Sequence, residues 1–266
     1  MKLKKTVYII CLCMLSVLVF HEMERNMEDK TSSGKYIPTA RFSSLVSEEN
    51  KKERQQEKKV AYLTFDDGPS ENTISILETL KEKNAVATFF LIGNEITPER
   101  EDIVKQEIKQ GNAIGVHTYC HKKNQMYCNA ECFFEDFKSA SEAIQKVTGK
   151  APKLHRFPWG SNNRYVSSYV DELHEKLQKM GVKSYDWNVS GEDSIGGTIP
   201  QETIMRNVKK DLTKHNEAII LLHDSNSTKN TAAVLGQLID YIRNEGYQFD
   251  TLENCEEYMF PASWRK

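Results

Sequence analysis

From Val60 onward, short runs of β-forming apolar residues alternate with longer stretches at helical spacing, and nearly every short run ends in a group that ionises or hydrogen-bonds. That alternation is expected of parallel strands joined by crossover helices. Seven strands are expected, over residues 60–65, 87–92, 113–117, 153–157, 182–189, 218–223 and 248–252. C-cap signals at Lys83-Asn84, Gln110-Gly111, Met180-Gly181 and Glu245-Gly246 end four helices just before strands begin. Ile74, Leu77 and Leu80, spaced helically after the first strand, are expected to face the sheet. Such a chain closes into a (β/α) barrel or stays an open doubly wound sheet. In both cases the chemistry belongs at the carboxyl ends of the strands.

What precedes Val60 is different in kind. Lys2, Lys4 and Lys5 lead into an apolar run over residues 8–20, the order of an export signal or membrane anchor, assigned here to residues 1–21. The run is shorter than the roughly 20 residues of a spanning helix, which points to a cleaved signal. The bulky, charged Phe20-His21-Glu22-Met23-Glu24 lacks a small-residue cleavage site, which points to a retained anchor. Residues 22–58 are polar, without periodicity, and end in a charge run, as a stalk or linker would. The folded domain is therefore placed at 59–260. Basic and acidic residues are interspersed and the formal net charge is -2, so no face suited to nucleic acid is expected. Cys120, Cys128, Cys132 and Cys255 fall in the exported part, where an oxidising exterior would allow disulfides; sequence does not choose a pairing.

The strand ends carry the reactive groups. The first strand runs into Asp66-Asp67-Gly68-Pro69. Two adjacent carboxylates repel unless a cation or strong donor lies near, although a turn with Ser70 capping the next helix explains part of the pattern. The third strand ends in His117-Thr118-Tyr119-Cys120-His121, where two imidazoles four residues apart can converge on one metal. With a strand-end acid they make a two-His, one-carboxylate set with open positions, the composition of catalytic zinc sites. Arg156 lies where the fourth strand meets a loop and is placed to pair with Asp66. His223 follows the continuous apolar run 218–222, a position better suited to an acid or base than to solvent decoration.

This set resembles the NodB-type polysaccharide deacetylases, carbohydrate esterase family four, over residues 60–252. Thr64-Phe65-Asp66-Asp67-Gly68-Pro69, His117-Thr118-Tyr119-Cys120-His121, Arg156-Phe157-Pro158-Trp159-Gly160 and Leu221-Leu222-His223 look like its first, second, third and fifth motifs. The fourth departs from the commonest pattern: Asp186 within the fifth strand and Asp193 after it are both available, and spacing after the strand favours Asp193. The resemblance implies a distorted (β/α) barrel of about seven parallel strands. It implies a divalent metal, zinc in the usual case, held by Asp67, His117 and His121, with Asp66 as base and Arg156 holding it ionised. It also implies an oxyanion donor in the Trp159 backbone N–H, an acid in His223 stabilised by Asp193, and an acetyl-methyl pocket lined by Leu221.

The activity so implied is hydrolysis of N-acetyl groups from an amino-sugar polymer by an exported, cell-surface, monomeric enzyme whose N-terminus is cleaved or membrane-embedded. Peptidoglycan N-acetylglucosamine is preferred to chitin oligomers or acetylated xylan, because a stalk behind an anchor would hold the domain beside the cell's own wall. A two-carboxylate glycosidase is disfavoured, since adjacent strand-end acids poorly flank one bond and the His pair would go unexplained. A phosphoryl-accepting receiver domain fails for similar reasons. A non-catalytic wall-binding protein of the same fold would not need base, ligands and acid together.

Overall fold

A computed structural model describes residues 59–264. The expected export segment and stalk, 1–21 and 22–58, lie outside the described residues. In chain order the elements are β1 (Val60–Gly68), α1 (Glu71–Glu82), β2 (Ala87–Ile92), α2 (Glu101–Lys109) and β3 (Ala113–Thr118). Then come α3 (Lys123–Met126), α4 (Ala130–Thr148), β4 (Leu154–His155), α5 (Val170–Lys179) and β5 (Lys183–Ser184). The chain finishes with β6 (Val189–Ser190), α6 (Gln201–Leu212), β7 (Glu217–His223), α7 (Lys229–Asn244) and β8 (Gln248–Phe249).

All strand pairs are parallel, in the order β5-β4-β3-β2-β1-β7-β6, with β8 beside the start of β1. The strand expected over 182–189 splits in two. Its halves, β5 and β6, are neighbours in sequence but stand at opposite ends of the sheet order, so residues 185–188 cross between the two edges. The sheet is thereby curled into a barrel whose gap this crossing spans.

Strand parity sorts the core into two compartments. Ala61, Leu63 and Phe65 of β1, with Ala218, Ile220 and Leu222 of β7, face outward into the apolar layer under the helices. Val60, Tyr62 and Ile219 face inward with Phe90, Leu154 and Leu252 and fill the lower barrel. Above them the inner column of β1 turns polar, with Thr64 and Asp66, and that of β7 continues to Leu221 and His223. The reactive groups therefore gather at the carboxyl mouth, as the strand-end reading requires.

The four expected C-caps are present, with Asn84, Gly111, Gly181 and Gly246 in the left-handed region. One helix face needs correcting. Ile74 is exposed, and Thr73, Ile76, Leu77 and Leu80 form the buried stripe of α1. The helix is rotated from the expected face because Thr73 turns its hydroxyl inward to the Asp224 carboxylate, 2.5 Å away.

One buried group works against stability. Glu107 of α2 is fully enclosed beside Ile103 and Val104, and neither carboxylate oxygen has a hydrogen-bond partner among the described residues. Burial, reinforced by Asp224, holds its pKa well above 4.5. An acid whose folded-state pKa is raised is tolerated below its unfolded value and costs stability as pH rises beyond it. Glu107→Met should therefore stabilise the domain by about 1–3 kcal/mol at pH 7. The gain, read as Tm, should shrink towards pH 4.5; a lower Tm at pH 7 would show that the carboxyl has a stabilising partner.

Candidate active site

The site begins where β1 breaks its own register. Asp66 is opposite Phe90 of β2, but the next β2 residue, Leu91, is opposite Gly68, so Asp67 is an extra residue, with φ 76°. A bulge of this kind re-aims one side chain, and here both carboxylates reach the His117 imidazole. Asp66 Oδ2 lies 3.9 Å and Asp67 Oδ1 3.5 Å from its Nε2. Ser70 caps α1 as the turn reading anticipates, in a capping box with Thr73. The same two hydroxyls donate to Asp224, whose backbone N–H in turn donates to the Asp66 carbonyl at 2.6 Å. A Cβ on Gly68 would come within 2.6 Å of Asp224 Oδ2, so only glycine lets the loop lie on this carboxylate.

β3 slips in the same way. Leu91 pairs with Val116 and Ile92 with Thr118, skipping His117. The His117 Nδ1 is 3.0 Å from the Arg156 carbonyl, which only accepts, so Nδ1 carries the proton and Nε2 offers its lone pair to the site. Burial drives this imidazole down to about 3 despite the pull of Asp67, so it is neutral at physiological pH. His121 follows in the turn at φ 51°, its Nε2 also 3.5 Å from Asp67 Oδ1. The turn is held by Asp136 of α4, which accepts from the Thr118 hydroxyl at 2.6 Å and from the backbone N–H groups of Tyr119 and Cys120 at 2.7 and 3.2 Å.

These three residues fit a metal ion. In a tetrahedral array, atoms bonded at ~2.1 Å to one cation stand ~3.4 Å apart. The Asp67 oxygen meets that spacing to both imidazoles, and all three donor atoms lie within 4.8 Å of one another. Asp67 Oδ1 is also buried and accepts no hydrogen bond among the described residues. A carboxylate oxygen so placed needs a positive partner. Cys120 is outside the cluster and is a free thiol, as is Cys255; Cys128 and Cys132 form a disulfide.

Arg156 is fully enclosed, not a surface residue. It donates to Asp66 Oδ1 at 3.0 Å and the Thr64 hydroxyl at 2.6 Å, and to the Tyr185 and Asp186 carbonyls at 2.9 and 3.1 Å. Its guanidinium lies over Phe90, 4.4 Å from the ring centre, and a Cβ on Gly115 would approach that ring to 2.5 Å. Burial pushes the Asp66 carboxyl up, and the guanidinium opposes that shift. Trp159 stands in the loop after β4 at φ 64°, its ring 4.8 Å from that of His121. No other backbone group among the described residues takes up its N–H.

On the β7 side, His223 is opposite Asp66 in register, with Leu221 buried two residues before it. Asp193 accepts from His223 twice, from Nδ1 at 2.7 Å and from the backbone N–H at 2.8 Å, and from Thr231 at 2.7 Å. Ser194 Oγ lies 3.2 Å from Nε2. Burial alone would depress this imidazole, but the Asp193 carboxylate, aided by Asp66 and Asp67, raises it to about 9. Asp186 faces elsewhere: it accepts from Ser161 N and Oγ at 2.9 and 2.5 Å and from Phe260 N at 2.7 Å, tying the crossing to the C-terminal segment. Sequence reasoning missed Asp136, Asp224, Thr231 and Ser194. Of these, Asp224 had a signal, being an acid directly after a strand-end histidine.

The polysaccharide deacetylase family profile matches residues 53–183. A peptidoglycan-N-acetylglucosamine deacetylase from Bacillus cereus is 35% identical over 213 residues, which are 79% of this chain and 74% of that protein. The chain belongs to the polysaccharide deacetylase family. It is a hydrolase with the carbohydrate esterase fold of that family, and solved structures agree. The catalytic domain of a peptidoglycan N-acetylglucosamine deacetylase from Eubacterium rectale superposes with a TM-score of 0.71 at 30% identity, covering 77% of this chain and 93% of that one. The polysaccharide deacetylase Bc1974 from Bacillus cereus gives 0.68 at 32% identity, with 76% and 97% covered.

The His223–Asp193 pair makes a prediction independent of turnover. An imidazole raised to about 9 contributes stability that is present below 6.5 and lost as pH rises through about 9. In Asp193→Asn, the His223 titration followed by NMR should fall from about 9 towards or below 6.5. An unchanged midpoint would assign the raised value to another group.

Proposed function

We propose that this deacetylase removes N-acetyl groups from the N-acetylglucosamine units of peptidoglycan, with zinc held by Asp67, His117 and His121. The observation that carries the reading is the buried, donorless Asp67 oxygen between two imidazoles, with the Asp66–Arg156 pair beside it and the His223–Asp193 pair opposite. When bound there, zinc supplies Lewis-acid chemistry, polarising a carbonyl and acidifying a neighbouring water.

The chain's own residues do the rest. Asp66 takes a proton from the attacking water, and Arg156 keeps its carboxylate ionised and oriented. Trp159 donates its backbone N–H to the developing oxyanion, a contribution worth about 3 kcal/mol when such a donor is preorganised. An amine leaves poorly unless protonated, and His223, an imidazolium below about pH 9, gives it a proton while Asp193 stabilises the charge. Leu221 lines the space for the acetyl methyl. Acetate and a glucosamine unit are the products.

The substrate preference is supported by the peptidoglycan deacetylases among the relatives and by the lysine-flanked apolar run at residues 8–20. In this reading the enzyme is exported, with residues 1–21 as signal or anchor, 22–58 as stalk and 59–260 as a monomeric catalytic domain at the cell surface.

The test is acetate release from peptidoglycan by the zinc-loaded protein. Asp66→Asn should bind one equivalent of zinc yet lose roughly 10²- to 10⁴-fold in kcat. Wild-type turnover in that variant would remove Asp66 from the base role, and absence of stoichiometric metal from the wild type would remove the metal site. His223→Ala should likewise keep zinc and cleave the amide far more slowly; a wild-type rate would exclude it as proton donor.

A further inference from the structure

Beyond the ligand set the site continues as an aromatic ladder. The Trp159 ring, 45% exposed, lies 4.8 Å from His121 on one side and 6.0 Å from Tyr165 on the other. Tyr127 is buried, donates its hydroxyl to the Pro158 carbonyl at 3.2 Å and packs against Trp159 at 6.2 Å, which fixes the middle rung.

Two cations converge on the outer rung. Lys123 Nζ stands 5.0 Å from the centre of the Tyr165 ring and donates to its hydroxyl at 3.3 Å. Arg164 stands 5.0 Å from the same ring and donates to the same oxygen at 3.1 Å. One comes from α3, just after the His121 turn, and the other from the loop just after Trp159. Several other cations of the domain have a carboxylate at close range, as in Lys83–Asp240, Lys105–Asp102, Lys179–Glu175 and Lys214–Asp211. Lys123 and Arg164 have no carboxylate partner among the described residues; a neutral phenol is all they share. Two like charges held on one hydroxyl repel each other, and an anion bridging them relieves that repulsion.

We propose that Lys123, Arg164 and Tyr165 form a carboxylate-binding subsite that seats an acid group carried by the substrate strand next to the sugar being deacetylated. The inference rests on the deacetylase reading and deepens it. Chitin and xylan backbones without acid groups offer these cations nothing. A wall glycan whose alternate sugar bears an acidic lactyl ether, free or extended by a peptide, offers a carboxylate at each repeat. The planar fork of Arg164 suits such a group in bidentate fashion, while Lys123 acts as a point charge beside it. The sugar face is left to Trp159.

The experiment compares wild type with the Lys123→Gln/Arg164→Gln double variant on three substrates. They are neutral N-acetylglucosamine oligomers, wall glycan stripped of peptide, and peptide-bearing wall glycan, each assayed at low and high salt for kcat and KM. In the double variant the kcat/KM ratio of acidic to neutral substrate should fall roughly five- to tenfold, through KM, and the salt dependence on acidic strands should largely disappear. A fall on stripped glycan assigns the ligand to the lactyl carboxylate, and a fall confined to peptide-bearing glycan assigns it to the peptide. Lys123→Arg with Arg164→Lys should restore much of the ratio, because charge is kept. Acetate from all three substrates with an unchanged ratio would overturn the subsite alone. No acetate from any of them, with the wild-type enzyme, would overturn the deacetylase reading on which it rests.

Discussion

Adjacent residues of an extended strand point to opposite faces, and this site depends on β1 breaking that rule at Asp67. Without the extra residue, Asp66 would look into the barrel and Asp67 into the helix layer with Phe65. The bulge and the left-handed backbone at Asp67 bring both carboxylates to one imidazole, at 3.9 and 3.5 Å. Such an arrangement is strained for a residue with a Cβ, and the surroundings hold it: the Ser70 cap, the Asp224 carboxylate and a Gly68 with no room for a side chain.

A second constraint is the enclosed guanidinium of Arg156. Burying an unpaired cation is costly, so its position is fixed by whatever satisfies it. Four oxygens do so, two from the inner column of β1 and two carbonyls from the crossing between β5 and β6. One side chain thus orients Asp66 and also fastens the segment that spans the barrel gap. Asp186 secures the same crossing from the other side, through Ser161 and Phe260. The Asp66 carboxylate and the closure of the fold are therefore coupled, and removing Arg156 would perturb both.

Much of this was legible in the sequence because strand ends and helix caps leave short-range signals. The alternation from Val60 placed β1, β2, β3 and β7 closely, and the glycine and asparagine C-caps set where four helices stop. The groups at the mouth were legible for the same reason: Asp66, Asp67, His117, Arg156 and His223 each close or follow a strand. What stayed hidden depends on contacts between distant segments. The split of 182–189 into β5 and β6 follows from the closing of the barrel, which no local pattern encodes. Asp136 reads as an ordinary acid on a helix until its carboxylate is seen holding the His121 turn. Ile74 has the right spacing for the core, but the Thr73–Asp224 bond turns α1 away from it. Asp186 lies within the fifth expected strand and Asp193 beyond it; spacing favours Asp193, and in the fold it is the Asp193 carboxylate that meets His223 while Asp186 is held by Ser161 and Phe260.

The central claim is that the bulge at Asp67 and the turn at His121 gather the side chains of Asp67, His117 and His121 round one cation while Asp66 stays outside its coordination shell. Anomalous diffraction from crystals of the zinc-loaded protein tests this directly. The account predicts one peak with bonds of about 2.0–2.2 Å to Asp67, His117 Nε2 and His121 Nε2, and Asp66 still paired with Arg156. A peak bonded to Asp66 in place of Asp67, or one remote from both imidazoles, would contradict it.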